Sequence, residues 1–269
     1  HMIPRMVRFG LLAILLCPAA GAAQIGADLA AGRNHTGDPA AALEWYRRVL
    51  AADSLNYEAN WRAAVALVDL GEDYPDAGKI PARDSLYQEA LRHARIAAVD
   101  TTRSEGAFAL AMALGRIALT RSRTDRASFA EPIYTAASRA LALDPNQDGA
   151  HHILGLWNAE ARRLSGVSRF FAKSLFGGGI LGRASWAAAI EHLEAAVRID
   201  PDRIYHRLDL ARVYADRKRY ADARNQLDAI ERLPDRERHD PEYRRAAATL
   251  RQRIAGKEDD PQAGTTDDG

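Results

Sequence analysis

Stretches rich in alanine and leucine, with arginine and glutamate set at helical spacing between them, alternate with four short acidic corners, Asp53-Ser54, Asp100-Thr101, Asp144-Pro145 and Asp200-Pro201. Each corner closes one apolar-periodic stretch and opens the next. Asp followed by Pro or a small hydroxyl residue stops one helix and can start another. β-branched residues are sparse and no stretch reads as a strand, so the pattern predicts an all-α chain.

The corners also set a register. Ten residues beyond Ser54, Thr101, Pro145 and Pro201 stand Ala64, Ala111, Gly155 and Ala211, all small, and one position earlier stand Ala63, Leu110, Leu154 and Leu210. A row of residues with little or no side chain is where a neighbouring helix can approach closely. The corners lie 47, 44 and 56 residues apart, so each unit exceeds the roughly 34 residues of a minimal helix-pair repeat. The excess is assigned to insertions at Glu72 to Ala82, Arg121 to Ala127 and Ser165 to Arg183, each between the two helices of a pair. The last pair is close to minimal, with Leu210, Ala211 and Tyr214 on one helix and Tyr220, Ala223, Leu227 and Ile230 on the next. From Pro241 to Ala255 a capping helix is expected, burying Tyr243, Ala246, Ala247, Leu250 and Ile254 and turning its arginines outward. Gly256 to Gly269 is a charged, Gly/Thr-rich tail expected to be disordered.

These corners, the small-residue row and the runs GDPAAALEWYRRVLAAD, ALDPNQDGAHHILG and LGLWNAEARRLSG resemble a tetratricopeptide-repeat (TPR) array. The resemblance implies a right-handed superhelix of about five helix pairs over residues 23–255, cap included. A second resemblance covers His151 to Pro234: HHILGLWNAEARRLSGVSRFFAKSLFGG and AAIEHLEAAVRIDPDRIYHRLDLARVYADRKRYADAR are similar to the regulator-of-microtubule-dynamics family of TPR proteins. His151, Leu154, Gly155, Trp157, Leu164, Ser165, Ala172, Leu175 and Phe176 carry it. It implies a TPR domain that in some eukaryotic members binds and moves phospholipids.

The amino terminus changes the setting. His1-Met2 reads as a cloning remnant, and behind it Arg5 and Arg8 precede the apolar run Phe9 to Leu16 and the small residues Ala19 to Ala23. That order is a secretory signal over residues 1–22, with cleavage expected near Ala22 or Ala23 and a periplasmic or secreted mature protein. An exported protein does not meet microtubules, so the family name does not transfer as a function. Cys17, the sole cysteine, leaves with the leader; Leu16 and Pro18 fit a lipoprotein acceptor poorly, and a lipid anchor on Cys17 stays the alternative. Loss of Arg5 and Arg8 turns 37 basic against 36 acidic residues into a net charge of about −1. The basic footprint of a nucleic-acid binder is absent, and disulfides and thiolate metal sites fall away with Cys17.

In a TPR superhelix the first helix of each pair lines the concave groove. Seven, eleven and fourteen residues beyond the corners, that lining holds Trp61, Val65, Val68, Phe108, Met112, His152 and Leu156 among its members. The lysine, arginine and asparagine clamp of TPR domains that grip peptide carboxylates is missing at these positions. The strip suits an apolar peptide or acyl chain, unless an inserted loop, the cap or a second copy covers it. Within the third insertion Phe170, Phe171, Leu175 and Phe176 recur at helical spacing with Arg169 and Lys173 among them, ahead of Gly177 to Gly179. Such a basic, aromatic stretch either packs on its host repeat or forms a lip that touches ligand or membrane surface.

No Ser-His-Asp order, phosphate-cradling glycine loop or metal-spaced carboxylate cluster is apparent, so no catalytic residue, metal or cofactor is assigned. His151 and His152 are adjacent and point to different sides of a helix; His192, beside Glu191 and Glu194, reads as a solvated face. Two functions remain: a protein-interaction scaffold in the cell envelope, or a binding and transfer protein for a phospholipid or other hydrophobic ligand.

Overall fold

The computed structural model describes residues 18–35, 37–164 and 179–260. Residues 1–17 of the expected leader, most of the tail, and Phe170, Phe171, Lys173, Leu175 and Phe176 lie outside the described residues. Among those described there is no strand, and eleven helices of thirteen residues or more follow one another. They are α1 (Pro18–Asn34), α2 (Pro39–Ala52), α3 (Tyr57–Gly71), α4 (Pro81–Ala97), α5 (Ser104–Leu119) and α6 (Ala130–Leu143). After them come α7 (Asp148–Arg163), α8 (Trp186–Ile199), α9 (Ile204–Asp216), α10 (Tyr220–Arg232) and α11 (Asp240–Ile254).

The corners work as side-chain turns. Asp53, Asp100 and Asp144 each accept a hydrogen bond from the backbone N–H two residues on, at 3.2, 2.7 and 2.9 Å, and Asp200 does so at 3.4 Å. An aspartate that satisfies the backbone in this way replaces a helical bond and redirects the chain. New helices then start on caps: Asn56 accepts from Ala59 N–H at the head of α3, Asp38 from Ala41 N–H before α2, and Ser185 from Ala188 N–H before α8.

Successive helices pack as antiparallel pairs, α1 on α2, α3 on α4, α5 on α6, α7 on α8 and α9 on α10, with α11 lying on both helices of the last pair. The first helices of neighbouring pairs also touch, α3 with α5, α5 with α7, α7 with α9 and α9 with α11, which puts them on the inside of the curve. The small row is buried in this packing: Ala64, Ala111 and Ala211 are fully buried, and a Cβ on Gly155 would sit 2.5 Å from Leu193 Cγ of α8, its partner in the pair. Aromatics of the second helices use the same device. The Tyr46 ring lies against Gly32, and the Tyr87 ring against Gly71.

Two of the expected insertions are visible. Residues 72–80 form an irregular loop, held by the fully buried Arg83, which donates to the carbonyls of Pro75, Asp76 and Gly78. Residues 123–126 make one helical turn, continued by a 3-10 turn at Ala127–Phe129. No described helix is long and apolar enough to cross a membrane.

Candidate functional site

The seven groove residues do not share one environment. Val68 is buried in the core that runs from the first three pairs into α7, and Met112 and Trp61 are half-buried against it. The Phe108 ring packs on Gly149 of α7. His152 is buried in a polar chain described below, and Val65 and Leu156 are half-buried.

Trp61 belongs to an open cleft of about 370 Å³ where α1, α3 and the head of α5 meet, shared with Arg33, Tyr57, Glu58, Arg62, Arg103 and Glu105. The Arg62 guanidinium lies over the Trp61 ring at 4.3 Å from its centroid, and Arg103 over Tyr57 at 3.4 Å. Arg33 and Arg62 both donate to Glu58 Oε1, at 2.6 and 2.7 Å. Desolvation works to raise the Glu58 pKa, but these two bonds win and hold the carboxylate below its ordinary range. The Tyr57 hydroxyl donates to Glu105 (2.9 Å) and accepts from Gly106 N–H (3.0 Å); burial, with Glu105 adding, pushes it up to about 12, so it stays a neutral donor. Rings fixed by guanidinium groups at an open surface are the composition of protein-binding hot spots.

Deeper along the inner face runs a seam of charge. Fifteen residues beyond the corners stand Asp69, Arg116, Glu160 and Asp216, one position past the last row read from the sequence. These residues join neighbouring pairs: Arg116 of α5 meets Glu72 at 3.2 Å and Asp76 at 3.7 Å, and Arg163 of α7 bridges Glu160 (2.6 Å) and Asp216 of α9 (2.5 Å). Burial pushes the carboxyl of Glu72 up in pKa although Arg116 opposes it. At the far end the segment before α11 returns to α3. His239 Nε2 lies 2.9 Å from Asp69 Oδ1, Arg238 pairs with Asp73 at 2.5 Å, and the Tyr243 hydroxyl approaches Glu72 at 3.4 Å. The cap therefore reaches across the concave face at this point. The carboxylates of Asp69 and Glu72 and the His239 ring converge there, an Asp-Glu-His group with one ligand atom from each within 4.8 Å of the others. No spacing in the sequence announces this group, because Asp69 and His239 are 170 positions apart and only the curvature unites them.

A second polar chain ties α7 to α9. Asp209 faces His152 Nε2 at 3.3 Å, His152 Nδ1 meets His206 Nδ1 at 3.0 Å, and His206 Nε2 meets Asp148 at 2.9 Å. Only one of the facing Nδ1 atoms can carry the shared proton. Burial, the largest influence, holds the His206 ring neutral down to about 4. Desolvation opposes ionisation of Asp148 and Asp209, yet bonds to His206 and His152 respectively, with Arg203 and Arg212 nearby, keep both at about 2. Tyr205 stacks edge-on against His152 and approaches Tyr243 at 5.9 Å, linking this chain to the cap. His192, read as solvated, instead meets His151 of α7 at 3.0 Å.

Stacked antiparallel helix pairs with small residues at the crossings, Asp corners between them and a terminal cap define a tetratricopeptide-repeat array, an all-α superhelix. The solved structure of TTC0263, a TPR protein of Thermus thermophilus, superposes with a TM-score of 0.58 at 20% identity, covering 84% of this chain and 98% of that one. PilF of Pseudomonas aeruginosa matches with a TM-score of 0.48 at 18% identity over 88% of this chain and 91% of that one. No curated protein matches the sequence. The profile described as regulator of microtubule dynamics protein 1-3 matches residues 28–255, and the chain belongs to that family.

Proposed function

We propose that this protein is an exported, non-catalytic scaffold that holds a segment of a protein partner in the cell envelope. The observation that carries the reading is the cleft at Trp61, where two aromatic rings and three arginines, from α1, α3 and the corner before α5, are pre-positioned and remain open to solvent. Rings and guanidinium groups already locked by one another lose little freedom when a partner docks, so more of the contact energy appears as affinity. The array supplies stiffness and repeated inner surface, the general use of stacked helical repeats. Export is supported by the leader pattern and by the exposure of Gly21 to Gln24 at the start of α1. Cleavage near Ala22 or Ala23 removes no described side chain from the core.

The test is a displayed-peptide library panned against the protein, followed by affinity measurements on Trp61→Ala and Arg62→Ala variants. Loss of a Trp or Arg anchor at the centre of a contact costs roughly 2 kcal/mol or more, about thirtyfold in Kd. Peptides that bind both variants as tightly as the parent would remove the cleft from the proposal. Native mass spectrometry of gently extracted protein addresses the hydrophobic-ligand reading, including membrane contact through the aromatic insertion. A stoichiometric co-purifying phospholipid would replace the scaffold reading with that one. Fusion of residues 1–30 to a reporter active only outside the cytoplasm tests export directly.

A further inference from the structure

We propose that Asp69, Glu72 and His239 form a site for one divalent transition-metal ion of zinc type, clasping the second helix pair to the C-terminal cap. Three observations carry it. The first is convergence: Asp69 in the last turn of α3 and Glu72 at its C-cap meet an imidazole delivered from the segment before α11, with one ligand atom of each within 4.8 Å of the others. Ligands on a tetrahedral zinc at about 2.0–2.2 Å lie roughly 3.3–3.6 Å apart; His239 Nε2 and Asp69 Oδ1, now 2.9 Å apart, would open slightly around the ion.

The second is charge. Asp69, Glu72, Asp73 and Asp76 crowd the C-terminal end of α3, whose last turn holds no basic residue. That end of a helix already carries partial negative charge and favours cations. Arg116 and Arg238 set guanidinium groups against these acids. A divalent ion would add positive charge where four carboxylates gather.

The third is orientation. Arg116 lies at Glu72 Oε1 (3.2 Å), while Oε2 is approached by the Tyr243 hydroxyl at 3.4 Å. Arg116 and the Tyr243 hydroxyl thus orient the carboxylate from either side, and each oxygen keeps a further lone pair that can ligate. An imidazole with two carboxylates matches zinc or a similar borderline ion, whereas calcium and magnesium take oxygen ligands. Three protein ligands leave a further position for water or for a partner's side chain.

The experiment uses the full chain stripped with chelator and then titrated with zinc alone. Calorimetry is expected to show one site per chain and thermal unfolding to shift upward on loading. His239→Ala and the nearly isosteric Glu72→Gln each lower affinity at least tenfold, while His151→Ala leaves it unchanged. Circular dichroism checks that each variant is folded. X-ray absorption on zinc-loaded parent protein reads the ligands without any substitution, and one imidazole with oxygen ligands is expected. Absence of a saturable site, equal affinity in Glu72→Gln, or two or more imidazoles on the metal would overturn the assignment, the last by placing the ion on the paired histidines of α7, α8 and α9.

Discussion

Gly106 sits in the first turn of α5, where a Cβ would lie 2.6 Å from the carbonyl oxygen of Ala97, 2.7 Å from its carbon and 3.0 Å from Ala98 N. These are backbone atoms at the end of α4, and Ala97 O is also tied into the corner by Asp100 N–H at 3.1 Å. No rotamer change can relieve the clash, so α5 must shift. Overpacking of this kind costs about 1–3 kcal/mol, against a helix-propensity gain of at most ~1 kcal/mol for alanine over glycine. Gly106→Ala is therefore expected to lose about 1–2 kcal/mol. Gly115 is the internal control: it lies in the same helix with nothing within 4 Å of its Cβ position, so Gly115→Ala should gain about 0.5–1 kcal/mol. Urea unfolding followed by far-UV circular dichroism, with unchanged m values, resolves the two. The same substitution touches the cleft, because Gly106 N–H donates to the Tyr57 hydroxyl. Peptide affinity should fall in Gly106→Ala and not in Gly115→Ala. If Gly106→Ala were as stable as the parent, or both substitutions moved stability the same way, the close approach of α5 to α4 described above would be wrong.

Burial lowers the pKa of His206 to about 4, below the 6.5 of the free side chain, so the unfolded chain binds the extra proton first. Stability is then full above pH 6.5 and declines as pH falls from about 6.5 toward 4, by about 3 kcal/mol at 1.36 kcal/mol per unit. The buried His93, lowered to about 4 mainly by desolvation, adds in the same direction. Asp148 and Asp209 act later, losing their contribution only as pH drops from about 4 toward 2. A urea midpoint that stays flat between pH 7 and 5 would contradict this order. Arg83→Met removes the donors that hold three carbonyls of the 72–80 loop. A loss of about 2–4 kcal/mol is expected, with faster hydrogen exchange and protease cutting confined at first to that loop. Unaltered exchange there would show that the loop stands without Arg83.

The repeat was legible because its determinants are local. Asp at each corner turns the chain through its own side chain, and a small residue ten positions after the next residue fixes where helices cross, so counting from Ser54, Thr101, Pro145 and Pro201 recovers both. The character of the inner face was less accessible. Rows seven, eleven and fourteen read as apolar, whereas row fifteen, with Asp69, Arg116, Glu160 and Asp216, carries the charges that join one pair to the next. Extending the count by one would have exposed it. His239 could not have been found that way, since its place opposite Asp69 depends on the summed rotation of every intervening pair rather than on any spacing in the chain. The cleft at Trp61 was half visible: Trp61 itself fell on the inner face, but its arginine neighbours come from α1, the same helix and the following corner.

The return of His239 to Asp69 also bears on how such a protein can change over evolution. Open helical arrays gain or lose a unit by duplication or deletion with little penalty, because each unit answers only to its neighbours. Here one more pair between α3 and α11 would displace His239 by roughly one helix layer, about 8–10 Å, and Asp69 would lose its partner. The number of repeats is thus part of the molecule's specification, counted by a contact between its second pair and its last helix.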